Sequence, residues 1–264
     1  MLRSMYSGIS GLKNFQTKLD VIGNNIANVN TYGFKKGRVV FKDVFSQTSA
    51  GASAPTATTG GTNPKQIGLG SQIAAIDTMH EGGSLQTTNR VLDLAISGDG
   101  FFVVMDKDGK NLKYTRAGNF YMDKNGDLVN AEGKYLKGTA GVINIPTTAQ
   151  SMSIGKDGTV EYVDEAGVLQ KAGQLEMAKF PNPGGLSKEG SNYYNETSNS
   201  GVATVGTAGL KGIGEIASGA LEMSNVDLSE EFTDMIVAQR GFQANTRIIT
   251  TSDEILQELV NLKR

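Results

Sequence analysis

The sequence contains no cysteine, no tryptophan and a single histidine among its 264 residues. Without cysteine the chain cannot form a disulfide, a thiolate nucleophile or a cysteine-ligated metal site. The lone His80 excludes any site that needs two imidazoles, so we place it in a loop. No apolar run approaches the ~18 residues of a membrane span, so we expect no membrane insertion. A formal net charge of −2 also argues against a nucleic-acid or anionic-membrane partner.

Signatures of catalysis are missing as well. Gly68 and Gly98 each begin a G-x-G without its third glycine, and neither a P-loop nor a G-x-S-x-G motif occurs. The segments that start at Asp106 and Asp123 resemble calcium loops only in their first residues, because glycine comes at the fourth position and no glutamate at the twelfth. A pair of carboxylates for glycoside hydrolysis is not excluded, because the spacing of residues along the chain does not report their distance in space. We therefore predict no catalytic residue, no cofactor, no metal and no enzymatic activity.

Proline is absent from both ends of the chain, because all five prolines lie between Pro55 and Pro183. Long proline-free ends permit long helices. At the N-terminal end, apolar residues recur at steps of three and four, which predicts one stripe along a helix that fades near Asn28–Asn30, with Gly33 as its stop. The residues of this stripe that we expect to pack against other helices are Met5, Ile9, Leu12, Phe15, Leu19, Ile22 and Ile26.

The C-terminal end carries a stronger stripe with the seven-residue period of coiled coils. We predict a helix from about residue 228 to about 262, with Asp227 as its N-cap and Gly241 as an interruption that costs about 1 kcal/mol. The packing residues expected at this end are Leu221, Leu228, Phe232, Met235, Phe242, Ile249, Leu256 and Leu259.

Charge favours the pairing of these two ends. Residues 1–42 contain seven lysines and arginines against one acid, whereas residues 215–264 contain nine acids against four bases. The stripes are expected either to form a helical hairpin within one chain or to pack between subunits of an assembly. Amides beside the stripes are either ordinary surface residues or set the register between helices of neighbouring subunits. These amides are Asn24, Asn25, Asn28, Gln239 and Asn245.

Between the ends the apolar period falls to two, and turn sequences containing Asp, Asn and Gly separate short strand-like runs. The predicted fold class is α+β. Paired, coiled-coil-like terminal helices (residues 1–42 and 215–264) accompany a β-rich domain (91–214). Residues 43–90 are expected to form an extended flexible arm, because Ser46–Pro64 has no charge and no large aliphatic side chain. The polar segment Gly184–Thr207 is predicted to be a long loop.

Motifs at both ends and in the middle of the chain resemble those of bacterial flagellar rod and hook proteins. The N-terminal motif runs from MYSGISGL to LDVIGNNIANVNTYGFK, in residues 5–35, and the central motifs are LDLAISGDGFFVV (92–104) and YTRAGNF (114–120). The C-terminal motifs are LEMSNVDL (221–228), MIVAQR (235–240) and QAN (243–245). They occur in the family's order and span nearly the whole chain.

This resemblance implies a helical homopolymer in the flagellum, a tube whose inner layer is the terminal helices and whose outer layer is the β-rich middle. It implies contacts with neighbouring axial and junction proteins, with an assembly cap and with the flagellar type III export apparatus. Export by that route, without a cleaved signal, agrees with an N-terminus that lacks a continuous apolar region. The implied location is the hook or basal body, outside the cytoplasm.

Two members of the family have suitable lengths. The runs 219–240 and 259–264 favour a short hook subunit, and the uncharged arm favours the pliability that bending demands, so we prefer the hook. A distal rod subunit, a rigid drive shaft, is the alternative. Outside the family, a trimeric fibre or tail protein would give a stable small oligomer. A carbohydrate-binding or hydrolytic β-protein would usually expose aromatic platforms, and only 7% of these residues are aromatic.

Overall fold

A computed structural model describes residues 2–56 and 58–262; Lys263 and Arg264 lie outside the described residues. A long helix lies at each end, α1 (Leu2–Ala27) and α2 (Leu228–Asn261), and short strands fill the sequence between them. The predicted combination of two terminal helices with a β-rich middle is therefore confirmed. The strands are β1 (Gly37–Asp43), β2 (Ser46–Ala50), β3 (Lys65–Gly68), β4 (Ser71–Thr78), β5 (Leu85–Thr87), β6 (Leu94–Ser97), β7 (Phe101–Met105), β8 (Lys113–Thr115), β9 (Tyr121–Met122), β10 (Leu128–Val129), β11 (Tyr135–Gly138), β12 (Gly141–Val142), β13 (Ser151–Ile154), β14 (Thr159–Val163), β15 (Leu169–Gln174), β16 (Met177–Lys179), β17 (Ser187–Gly190), β18 (Tyr193–Asn195), β19 (Thr204–Gly206), β20 (Glu215–Ser218) and β21 (Ala220–Glu222).

The ends of both helices follow local rules. The Asp227 side chain accepts hydrogen bonds from the backbone N–H groups of Ser229 (2.8 Å) and Glu230 (3.4 Å), so the predicted N-cap of α2 is confirmed. The chain leaves α1 after Ala27, and Gly33 adopts the left-handed conformation with φ of +70°. A Cβ at Gly33 would also meet the Arg116 carbonyl carbon at 2.5 Å, so this turn requires glycine for two reasons.

One compact unit contains α1, α2 and the segment Gly37–Asp77. In it, α1 packs against α2 and against β1. Strand β1 pairs with β4, and β2 pairs with β3 in an antiparallel hairpin. All residues of β2 and β3 are exposed, so this hairpin adds extended backbone to the unit but nothing to its core.

The second unit contains Asn28–Lys36 and Thr78–Val226. Its main sheet has ten strands, seven of them in the order β17-β18-β8-β7-β11-β10-β9, with β16, β19 and β12 attached. Strands β13, β14 and β15 form a meander, while β20 pairs with β6 and β21 with β5. Its main hydrophobic core includes Phe102, Phe120, Leu128, Leu136 and Leu175, each 0% exposed.

The predicted alternation of strands and turns is confirmed in this unit. Turns close at Gly109, Gly126 and Gly158, whose φ angles are +72°, +86° and +79°. At Gly126 a Cβ would meet the carbonyl oxygen of Ile145 at 1.9 Å, which explains why this turn also requires the smallest residue.

The prediction of a long loop over Gly184–Thr207 is wrong, because β17, β18 and β19 lie within it. Backbone hydrogen bonds with β8 and β16 hold these strands, whose mostly polar side chains gave little strand signal. Tyr193 and Tyr194 are the exceptions and are buried, at 4% and 3% exposure.

Candidate assembly interface

Helices α1 and α2 approach closely at two glycines, where the absence of a side chain leaves room for a residue of the other helix. A Cβ added at Gly241 would lie 2.6 Å from the Phe15 ring, and one at Gly11 would lie 2.8 Å from the Asn245 amide oxygen. Glycine at these positions therefore lets each helix receive a large side chain from the other. From the sequence alone, Gly241 is only a cost to the helix, because the Phe15 ring that it accommodates comes from the opposite end of the chain.

Polar contacts add to this pairing. Lys18 forms an ion pair of 3.1 Å with Asp234, in agreement with the expected attraction between a basic and an acidic helix. The Asn25 side chain is 2% exposed, and its Nδ2 donates to Glu231 Oε1 at 3.1 Å and to the Gly37 carbonyl at 2.9 Å. Its Oδ1 accepts from the Gly37 N–H at 2.9 Å. Asn25 thus joins α1, α2 and β1 within one chain.

The other predicted register amides occupy different environments. Asn245 is half-buried on the paired face, where its Nδ2 donates to the Gly241 carbonyl at 2.9 Å. Asn28 accepts from the Thr31 hydroxyl at 3.1 Å, next to the end of α1. Asn24 and Gln239 are exposed on their helices. A role between neighbouring subunits stays a prediction for all five amides.

The predicted α1 stripe is largely covered within the chain. Ile22 is 3% exposed, and Ile9, at 38%, is the most exposed of its members. The half-buried members are Met5, Leu12, Phe15, Leu19 and Ile26.

The α2 stripe is covered only in part. Leu228, Phe232 and Leu259 are 40%, 50% and 48% exposed. Its half-buried members are Met235, Phe242, Ile249 and Leu256. Further apolar side chains of α2 are more exposed still: Ile236 58%, Val237 56% and Val260 65%. Helix α2 thus keeps an apolar face that the described part of the chain leaves in solvent.

Leu221 is a correction to the predicted stripe, because it lies in β21 and not in a terminal helix. The seven-residue spacing continues upstream of Asp227 by coincidence. There the backbone pairs with β5, opposite Gln86, and Gly219 has a φ of +77°. Leu221 is 4% exposed and belongs to the β-rich unit.

Lys35, Arg116 and Glu222 form a buried ionic cluster in the β-rich unit, and they come from the three motif regions of the sequence. Lys35 Nζ lies 2.5 Å from Glu222 Oε1, and Arg116 donates to Glu222 Oε2 at 3.1 Å. The side chains are 0%, 3% and 1% exposed, in that order. Glu222 also accepts from the Gly83 N–H at 3.1 Å. Burial lowers the pKa of Lys35, and the attraction of Glu222 opposes this effect.

Asn225 supports the same region as the ionic cluster. Its Oδ1 accepts from the Lys36 N–H at 2.8 Å, and its Nδ2 donates to the Met79 carbonyl at 2.9 Å. The Lys35 ammonium further donates to the carbonyl of Glu81 at 2.7 Å. These contacts give a structural reason for the GFK and LEMSN segments of the terminal motifs. Sequence reasoning missed the cluster, because nothing in the separate motifs indicates that they meet.

His80 lies beside this cluster, in a loop as expected. Its ring makes edge contacts with Phe101 and Tyr194, at centroid distances of 5.7 and 5.4 Å. Both ring nitrogens are buried without a hydrogen-bond partner among the described residues. Burial, followed by the charges of Lys35, Arg116 and Lys188, lowers the pKa of His80 to about 4. The imidazole is therefore neutral near pH 7 and packs as a half-buried aromatic ring against Phe101 and Tyr194.

Within the described residues, no group of three or more metal-ligating side chains occurs, and neither helix is long and apolar enough to cross a membrane. The chain combines terminal helices that pack closely at glycines, an exposed apolar face on α2 and a separate β-rich unit. This combination is typical of a structural subunit.

Three families match the chain in consecutive segments. Residues 5–35 match the flagella basal body rod protein family, residues 95–162 the flagellar hook protein FlgE/F/G D1 domain and residues 217–262 the flagellar basal body rod FlgEFG protein C-terminal family. The flagellar basal-body rod protein FlgG of Bacillus subtilis (strain 168) is 63% identical over 266 residues, covering all of both chains. FlgG of Borreliella burgdorferi is 41% identical over 268 residues. The flagellar hook protein FlgE of that organism is 33% identical over a 443-residue alignment; each comparison covers all of both chains.

The chain therefore belongs to the family of flagellar hook and basal-body rod proteins. Members of this family are structural rather than enzymatic, and they form part of the bacterial flagellum.

Proposed function

We propose that this chain is a subunit of the flagellar basal-body rod. The single observation that carries this proposal is the 63% identity to a rod protein over the full length of both chains. The alignment with the hook protein extends over 443 positions, although this chain has 264 residues. The hook protein therefore contains long insertions that this chain lacks. From the sequence alone the hook was the preferred function and the distal rod was the alternative. Full-length identity favours that alternative.

The hook remains the second candidate function. It is favoured by the 33% identity to a hook protein and by the fully exposed β2–β3 hairpin, whose Ser46–Pro64 part is uncharged and whose strands bury no side chain that would stiffen it. In either case the two functions share one mechanism, in which a tube of identical subunits transmits torque for motility.

The tube is proposed to assemble by covering the apolar face of α2. Burying an apolar side chain contributes about 1.5–3 kcal/mol, so a few residues such as Phe232, Ile236 and Val260 would stabilise each contact substantially. Coiled-coil-like packing between helices of neighbouring copies suits the seven-residue spacing of Leu228, Met235 and Phe242. The exposed amides Asn24 and Gln239 would then help to set the register between subunits.

For the layers of the tube, we propose that the terminal helices α1 and α2 line the inside, that the β-rich unit of residues 28–36 and 78–226 forms the outer layer and that residues 43–77 form an arm between them. The division of the chain into a helical and a β-rich compact unit supports this arrangement. Neighbouring axial proteins would contact the tube ends, and the type III export apparatus would deliver the chain unfolded, with an assembly cap at the growing end.

Electron microscopy of basal bodies from a strain that lacks this gene tests the proposal. Rods that stop short inside the envelope are the expected result. Complete rods without hooks would make the chain a hook subunit. Normal flagella would contradict both functions and would favour the alternative of a fibre protein of another assembly. The matched control is the same strain with the wild-type gene restored, in which flagella of full length should reappear.

A further inference from the structure

The β-rich unit contains a cavity of about 300 Å³ next to the buried ionic cluster. This volume lies at the lower end of the range found for small-molecule sites, roughly 300–1,000 Å³. Its lining combines aromatic rings with charged side chains, among them His80, Asp99, Phe101, Arg116, Lys179 and Phe180. Arg116 belongs to both the cavity and the ionic cluster, so the two features adjoin.

Polar atoms in the lining of this cavity are buried without a partner. The Arg116 side chain is 3% exposed; its Nη1 donates to Glu222 at 3.1 Å and its Nη2 to the Gly98 carbonyl at 2.8 Å. Its Nε, like both ring nitrogens of His80, has no hydrogen-bond partner among the described residues. Buried polar atoms nearly always have a partner in folded proteins. These atoms therefore call for a partner that the chain itself does not supply.

The electrostatic field at this cavity is positive. The ion pairs of the adjoining cluster join two cations, Lys35 and Arg116, to the single anion Glu222, and all three side chains are buried. A buried charge without a counter-ion is costly, so an anion near Arg116 would be stabilised. The charges that lower the pKa of His80, beyond the effect of burial, are those of Lys35, Arg116 and Lys188, all of them cations.

Lys179 brings a further donor to the lining. Its Nζ lies 3.1 Å from Asp99 Oδ2 and donates to the Gly212 carbonyl at 2.9 Å. An ammonium group has three donors, so one remains for a ligand. Asp99 is 71% exposed, and ion pairs with such an exposed partner are weak. Lys179 can therefore exchange Asp99 for an anion bound inside the cavity.

The rest of the lining is apolar. Phe101 and Phe180 make an edge contact with ring centroids 5.8 Å apart, and Pro181 and Pro183 complete this part of the wall. We propose that the cavity binds a carboxylate carried on a small apolar body, with Arg116 Nε and Lys179 Nζ as the donors to its two oxygens. A carboxylate suits the site better than a phosphate, because two donors match its two oxygens and a guanidinium pairs well with its planar group. The carboxylate is either a free molecule or an acidic side chain of another chain.

Nuclear magnetic resonance of the purified chain tests the proposal with phenylacetate as the probe. Because His80 is the only histidine, its ring signals report on this cavity alone. Phenylacetate at pH 7 should shift these signals with a Kd of about 1 mM, whereas the neutral phenylacetamide should bind at least about tenfold more weakly. A blocked tripeptide with a central glutamate distinguishes the two sources. Binding as tight as that of phenylacetate indicates a side chain of another chain, and weaker binding indicates a free molecule.

Two variants test the assigned charges without touching the buried cluster. Lys179→Met should weaken the binding of phenylacetate by at least about tenfold, because it removes a charged donor. The matched control Lys171→Met removes an exposed lysine of β15 in the same unit and should leave the Kd unchanged. Asp99→Asn should tighten binding by about threefold, because its carboxylate no longer competes for Lys179.

Three outcomes would overturn the proposal. If the His80 signals do not move at concentrations about tenfold above the expected Kd, ordered water is the sole partner of the buried atoms. Equal affinities for phenylacetate and phenylacetamide would show an apolar cavity with no preference for an anion. Equal affinities of Lys179→Met and Lys171→Met would show that Lys179 does not hold the ligand.

Discussion

Replacing Glu222 with glutamine removes the single anion of the buried ionic cluster. Glutamine has nearly the same shape as glutamate, so the loss is one of charge. It leaves Lys35 and Arg116, which are 0% and 3% exposed, as unneutralised cations at close range. Removing one partner of a buried pair typically costs about 3–5 kcal/mol. For a domain of this size, a cost of about 3 kcal/mol corresponds to a fall in Tm of about 6–12 °C.

Thermal and urea unfolding of the purified chain, followed by circular dichroism, measures this cost. The control Glu215→Gln removes an exposed charge of β20 and should change the stability by less than about 0.5 kcal/mol. The variant Lys35→Met and the double variant Lys35→Met, Glu222→Gln complete a cycle, in which the double variant should cost less than the sum of the single variants by at least about 1 kcal/mol. Equal stability of Glu222→Gln and Glu215→Gln, or strict additivity in the cycle, would refute the reasoning.

Three further predictions concern single positions. The folded chain holds the pKa of His80 near 4, below its ordinary value of 6.5. The contribution of the neutral imidazole to the free energy of unfolding should therefore be complete above about pH 6.5 and be lost as the pH falls through about 4. The variant His80→Phe should remove this contribution to the pH dependence in urea titrations between about pH 7 and 4. Gly241→Ala should destabilise α1–α2 packing by about 1–3 kcal/mol because its Cβ meets the Phe15 ring, whereas Gly23→Ala, with open space around it, should be neutral or stabilising in the same melts; the reverse order would contradict the packing. Asp227→Ala should cost about 1 kcal/mol through the lost cap of α2, and an unchanged melting curve would show that the cap contributes nothing.

Local chemistry was enough to predict the helices and many of the strands. The limits of α2 follow from the Asp227 cap and the apolar period, and both signals act within a few residues of the chain. The turns at Gly109 and Gly126 follow from Asp and Asn before a glycine that can adopt positive φ. Where side chains were polar and strands were held by backbone pairing, as in Gly184–Thr207, pattern reasoning failed because it detects side-chain periodicity only.

Family membership was also visible in the sequence, since its motifs occur in order from residue 5 to residue 245. The choice between rod and hook was not, because subunits of both kinds share these motifs and differ in inserted segments and in the identity of whole chains. The proposal of a rod subunit rests on the 63% identity to a rod protein over the full length of both chains, and a hook protein is also 33% identical.

Contacts between distant residues were decided by the tertiary structure. Glu222 is 187 positions from Lys35 and 106 from Arg116, so no local pattern could reveal that they neutralise one another. The same holds for Gly241. In the sequence it is a residue of low helix propensity, and in the fold its missing side chain leaves room for the Phe15 ring. Exposure was decided in the same way: Phe232 and Phe242 share a stripe, yet the first is 50% exposed and the second is half-buried. An apolar stripe in the sequence predicts which side chains will be buried. Only the packing of the folded chain determines which of them are covered within the chain and which stay exposed to a partner.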